Sequence, residues 1–144
     1  GSLDYKRTYK YDAKGNIIKE NTYNADGSWS TKCTYKYDAK GNMIESDYHV
    51  NADYGSMDSK YTCKYDAKGN MIEENYHYND EPSFSYKNKY DAKGNKIESN
   101  KYSSDGSFIS KDKYEFDTMG NWIKKTTITD GKPNELSERV IEYY

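Results

Sequence analysis

The sequence predicts an all-β chain: an antiparallel meander of about eleven strands built from five double-strand hairpin repeats of about 26 residues. Two observations predict it. The stretch Tyr-Asp-Ala-Lys-Gly-Asn at 11–16 returns at 37–42, 65–70 and 90–95, and once more as Phe-Asp-Thr-Met-Gly-Asn at 116–121, at intervals of 26, 28, 25 and 26 residues. Between the copies, Tyr, Thr, Ile and Lys alternate with a period of two, and nothing repeats with the period of a helix. The repeats begin near 11, 37, 65, 90 and 116, and residues 1–144 read as a single repeat domain, with Gly1-Ser2 fitting an expression scar.

Composition sets limits on core and partners. Leu, Ile, Val and Phe together number only 16, so a thick dry core is not expected. The 18 tyrosines supply amphipathic surface that can be half buried with the hydroxyl wet, so a thin core roofed by rings and lysine stems is. A net charge of −2 and a pI near 5.7 argue against a nucleic-acid partner, which calls for a basic face. No run of 18 apolar residues could span a membrane, and the start carries no signal-peptide pattern, which says nothing of a leader removed earlier. Cys33 and Cys63 make neither a disulfide framework nor a zinc motif and are expected as free thiols.

Residues 3–11 read as the first strand, rich in Tyr, Thr and Lys. Asp12 to Gly15 then turn the chain: Asp bonds back to the backbone and Gly supplies the left-handed conformation that other residues resist. The same roles fall to Asp38 and Gly41, Asp66 and Gly69, Asp91 and Gly94, and Asp117 and Gly120. Residues 16–24 form the return strand, Asn24 to Ser28 a second turn of different chemistry, and residues 29–37 the strand that leads to the next motif. Opposite-side turns are expected near Asp53-Tyr54-Gly55, Asp80-Glu81-Pro82, Asp105-Gly106 and Asp130-Gly131-Lys132-Pro133, so that both prolines lie in or beside turns.

Turn length decides the register. A three-residue loop, Ala-Lys-Gly, pairs Tyr11 with Ile17; a four-residue loop, Asp-Ala-Lys-Gly, pairs Tyr11 with Asn16 and gathers Tyr9, Tyr11 and Ile18 on one face. The second is preferred because Trp29, Cys33, Tyr35, Tyr48 and Cys63 join that face, followed by Phe108, Phe116, Ile123, Leu136, Val140 and Tyr144. Motif Tyr and the Ile seven residues on would then form a cross-strand ladder, with Lys19, Asn21, Glu45, Asp47 and Glu73 on a solvated face.

Repeated Tyr-Asp-x-x-Gly-Asn followed by an aliphatic residue resembles the YD-repeat, or Rhs-type, family of bacterial surface and secreted proteins, across residues 5–144. The resemblance implies extended β-sheet, which in long members curls into shells around cargo and in shorter ones is described as carbohydrate-binding. It also implies a secreted, cell-surface or periplasmic location. This chain is far too short to enclose anything.

The five motif aspartates are read as turn formers rather than a calcium ladder, because each turn offers one carboxylate where calcium wants six to eight oxygens. His49 and His77 sit at equivalent positions two strands apart, about 9.5 Å, too far to share one zinc. Tyr23 and Tyr102 hold the same position, so Tyr23, His49, His77 and Tyr102 form a polar-aromatic candidate stripe suited to stacking on sugar rings. Cys33 and Cys63, on one face two strands apart, are too distant for a disulfide. No nucleophile and base come together, so a non-enzyme with no cofactor and no bound metal is expected.

The expected architecture is an open, curled sheet, with a closed up-and-down barrel or clam second and a pair of chains burying the aromatic face third. The expected function is a non-catalytic extracellular or cell-surface interaction module that binds polysaccharide or protein through its tyrosine-rich sheet, with self-association through the same surface. The alternative is a purely structural spacer or shell fragment without a ligand.

Overall fold

The computed structural model of the chain describes residues 5–51 and 56–142. Eleven strands of 7 to 10 residues follow one another: β1 (Tyr5–Tyr11), β2 (Ile17–Asn24), β3 (Trp29–Tyr37), β4 (Met43–Val50), β5 (Met57–Tyr65), β6 (Met71–Tyr78), β7 (Glu81–Tyr90), β8 (Lys96–Ser103), β9 (Phe108–Phe116), β10 (Trp122–Thr129) and β11 (Lys132–Glu138). Their order in the sheet is their order in the chain, so the protein is an open antiparallel meander, and no helix occurs among the described residues. The turn expected at Asp53-Tyr54-Gly55, and Tyr144 of the expected apolar face, lie outside the described residues. By contacts the chain divides into two compact units, Gly1–Cys63 with Asn75–Ser83, and Lys64–Glu74 with Phe84–Tyr144.

The motif turn is a three-residue loop, not the four-residue loop that apolar grouping favoured. Asp12 N donates to Asn16 O at 2.9 Å and Gly15 N to Asp12 O at 3.1 Å, so Asp12 faces Asn16 and Tyr11 faces Ile17. The register then slips by one residue, and Lys10 faces Lys19. The slip is a β-bulge at Ile18, and it returns Ile18 to the face of Tyr9 and Tyr11 by a different route. The expected Tyr–Ile ladder is therefore replaced by pairs between the motif aromatic and the residue after Asn: Tyr37 with Met43, Tyr90 with Lys96, and Phe116 with Trp122.

Paired residues share a face, and continuous rows follow within each unit. In the first, Tyr9, Glu20, Cys33, Tyr48 and Ser59 form one row, and Lys10, Lys19, Thr34, Asp47 and Lys60 form a row on the opposite face. In the second, Asn88, Ser99, Asp112, Thr127 and Glu135 are backed by Lys89, Glu98, Lys113, Thr126 and Leu136. Three expected apolar-face residues lie on the other face. Trp29 pairs with Tyr23, Phe108 with Tyr102, and Leu136 with Thr126. For Trp29 and Phe108 the cause is a bulge just inside the strand, since a one-residue slip moves every side chain beyond it across the sheet. Leu136 is displaced in the same way by the slip between Thr127 and Ile128. Val140 lies past β11 and is 94% exposed.

Two of the opposite-side turns are tighter than expected. Asn79-Asp80 and Asp130-Gly131 form two-residue loops, with φ of 49°, 64°, 52° and 73°, the mirror-type turn that suits strand twist. Pro82 and Pro133 accordingly stand second in β7 and β11.

With one sheet and no covering layer among the described residues, burial is shallow. Among the described residues the buried apolar ones are Cys33 and Cys63, neither in a disulfide, and Ile18, Ile72 and Ile97 remain 36%, 37% and 38% exposed. Burial pushes the Cys33 thiol up, and burial with the hydrogen bond to Cys33 pushes Tyr35 up to about 12. Repeat-to-repeat contacts supplement this thin core. The Tyr37 hydroxyl donates to Ile17 O at 2.9 Å, Tyr90 to Met71 O at 2.8 Å, and Lys14 Nζ to Ala39 O at 2.7 Å, each reaching across to the neighbouring repeat. Opposed charges cross the hairpins: Lys36–Glu45 at 2.7 Å, Lys64–Glu73 at 2.9 Å, Lys89–Glu98 at 2.9 Å and, with the signs exchanged, Lys124–Glu115 at 3.2 Å.

Gly69 has φ of 90°, and a Cβ there would meet nothing within 4 Å, so the need for glycine is conformational rather than steric crowding. Gly69→Val is expected to cost about 1–2 kcal/mol. A lowered thermal midpoint, with Gly69→Asn losing less, checks this; an unchanged midpoint for Val would overturn the turn assignment.

Candidate functional site

The motif carboxylates are occupied by their own turns. Asp12 Oδ1 accepts the backbone N–H of Lys14 at 2.8 Å and of Asn16 at 2.9 Å, while Oδ2 accepts the Asn16 side-chain amide at 2.9 Å. Asp38, Asp66 and Asp91 repeat this clasp with Asn42, Asn70 and Asn95. Asp117 accepts from Met119 N and Asn121 N at 2.9 Å. Gly15, Gly41, Gly69, Gly94 and Gly120 all close these turns with φ between 85° and 90°. The Asn that ends the motif is thus as much a turn residue as the Asp, a role that the spacing alone does not announce.

The stripe residues stand on the face of Lys10 and Lys19 in the first unit. Tyr23 lies opposite Lys6 and Trp29, and His49 lies opposite Lys32 and Asp58. His49 Nδ1 and Asp58 Oδ1 are hydrogen-bonded at 2.8 Å, and both side chains are about half exposed. His77 is half-buried, and its Nδ1 is enclosed without a hydrogen-bond partner. In the second unit Tyr102 lies opposite Ser85 and Phe108, with its ring edge-on to Phe108 at 6.1 Å and the Lys87 ammonium 5.3 Å from its centroid.

Sequence reasoning missed Trp29, Phe108 and the lysines beside them. Lys32 Nζ sits 4.0 Å from the Trp29 ring centroid, and the Asn51 amide donates to Trp29 O at 3.2 Å. A signal was present. Three-residue loops ending at Gly27 and Gly106 place Tyr23 opposite Trp29 and Tyr102 opposite Phe108, by the same count that governs the motif turn. Each unit therefore carries a directly opposed aromatic pair next to a lysine, which can offer ring faces and cationic donors together. At the Tyr23 end, Tyr5, Lys6, Thr8, Tyr23 and the turn residues Asn24, Ala25 and Gly27 line an open concavity of about 470 Å³.

No protein-family model matches the sequence, and no curated protein matches it.

The clasp has an acid signature. The Asn amide first, with backbone N–H groups, holds Asp12, Asp38 and Asp66 below the ordinary 3.8; for Asp91 the backbone of Asn95 comes first. Lys89, then Asn100, holds Glu98 down to about 2. These groups are more acidic folded than unfolded, so their contribution is complete above the unfolded values of 3.8 and 4.5 and is lost as pH falls through the lowered folded values, about 2 for Glu98. Circular dichroism across an acid titration is expected to show stability flat above about pH 5 and falling below about pH 4. Constant stability down to pH 2 would remove the clasp from the account.

Proposed function

We propose that the chain is a non-catalytic interaction module of the YD-repeat (Rhs-type) kind, working outside the cell or at a bacterial cell surface and binding polysaccharide through its aromatic strand residues. The reading rests chiefly on the opposed pairs Tyr23–Trp29 and Tyr102–Phe108, rings held by register rather than buried in a core. Half-exposed rings next to hydroxyls and amides suit sugars, which present an apolar face and a polar rim. A non-catalytic role agrees with carboxylates that are consumed by turns and with a histidine already engaged by Asp58.

The structural alternative has an observation in its favour. The Tyr37 hydroxyl and the Lys14 ammonium tie the first repeat to the second, and the Tyr90 hydroxyl ties the third to the fourth, as a spacer or shell segment requires. Tyrosines on the opposite face, among them Tyr9, Tyr11 and Tyr48 at 42%, 58% and 39% exposure, offer a surface for protein contact or self-association.

A glycan panel separates the two. Retention on at least one polysaccharide at millimolar sugar, weakened about tenfold by Tyr23→Ala with the thermal midpoint preserved, is the expected result. No retention on any glycan would leave the structural role.

A further inference from the structure

Four of the five motif hairpins cross a lysine with a carboxylate immediately before the turn, and the first does not. Lys36–Glu45, Lys64–Glu73, Lys89–Glu98 and Lys124–Glu115 are ion pairs, whereas the corresponding place in the first hairpin sets Lys10 directly opposite Lys19. Like charges in direct opposition destabilise a sheet, so this hairpin gives up stability that its sister hairpins keep.

The surroundings do not neutralise the pair. The Lys6, Lys10 and Lys19 ammonium groups make no ion pair or hydrogen bond with described residues, and Lys32, on the same face diagonal to Lys19, lies over the Trp29 ring. On β1, β2 and β3 this face carries no carboxylate, since Glu20 belongs to the other face. The nearest acids along the rows are already engaged: Glu45 by Lys36 and Lys60, Asp47 by Lys60, and Asp58 by His49. At the end of the same face lies the concavity of about 470 Å³ whose lining includes Lys6, Thr8 and Tyr23, within the roughly 300–1,000 Å³ typical of small-ligand sites.

Resting on the polysaccharide reading above, we propose that the first hairpin and β3 form a binding site for acidic polysaccharide, in which Lys10 and Lys19 hold a carboxylate or sulfate and a sugar ring seats against Tyr23. The anion supplies the countercharge that a glutamate supplies in the other hairpins. Three strands span only about 10 Å, and acidic residues follow on β4 and β5, so the basic area suits a few sugar units rather than the extended basic track of a nucleic-acid binder.

The test uses the full chain on immobilised polygalacturonate, dextran sulfate, neutral dextran and single-stranded DNA, with thermal denaturation alongside. The expected result is retention on at least one of the two acidic polysaccharides that falls as salt rises, and no retention on dextran or DNA. Lys19→Glu is expected to weaken that retention at least about tenfold while raising the thermal midpoint, because it restores the opposed charge of the other hairpins. Lys10→Gln should weaken it less, and Lys68→Glu, the same charge reversal in the third motif turn, should leave it unchanged. Equal retention on neutral dextran, untouched by Lys19→Glu, would overturn the acidic site while leaving polysaccharide binding standing. Retention on DNA alone, or equal losses for Lys19→Glu and Lys68→Glu, would also overturn it, and no retention on any polysaccharide would overturn both.

Discussion

One carboxylate clasping its own turn sets the register of this protein. Asp12 takes two backbone N–H groups on one oxygen and the Asn16 amide on the other, which fixes the loop at Ala13, Lys14 and Gly15. From that length the rest follows. Tyr11 must face Ile17, the extra residue Ile18 must bulge, and from Lys10 and Lys19 onward the two faces are determined. A charge-assisted hydrogen bond is stronger than a neutral one, and here each oxygen is used, so local chemistry rather than core packing selects the register. This suits a chain in which the buried apolar residues, among those described, are two cysteines.

The strands were legible in the sequence because turn chemistry brackets them: each Asp-x-x-Gly-Asn is a stop, and the intervals leave room for two strands and no more. Loop length was not legible from apolar grouping, because a three-residue loop followed by a bulge puts Ile18 on the same face as a four-residue loop without one. Two routes gave one pattern, and only hydrogen-bond partners separate them. The same blind spot hid Trp29 and Phe108, whose faces depend on bulges at Ser30 and Ile109 that no hydrophobic alternation marks. Tyr23, His49, His77 and Tyr102 were legible as equivalent positions; their actual partners, Trp29, Asp58, Phe108 and the nearby lysines, required the register.

A sheet with so little burial is held by many small terms repeated along the chain. Tyrosine hydroxyls to carbonyls, a lysine to the next turn and ion pairs across hairpins each contribute modestly, and half-exposed pairs contribute less than buried ones. Stability is then close to a sum over neighbouring repeats, as in other repeat arrays, and a local defect weakens its own hairpin before it weakens the whole.

Near-identical repeats carry a hazard of mistaken identity: a strand can pair with the return strand of the wrong hairpin, within one molecule or between two. The exchanged signs of Glu115 and Lys124 bear on this. Were β9 to borrow β4 or β8 as its return strand, Glu115 would meet Glu45 or Glu98; were β3 to take β10, Lys36 would meet Lys124. Either exchange sets like charges face to face. The inverted pair thus works as an address against the middle hairpins, whose return strands carry Glu45, Glu73 and Glu98, while those hairpins, all written Lys then Glu, remain interchangeable among themselves by this criterion.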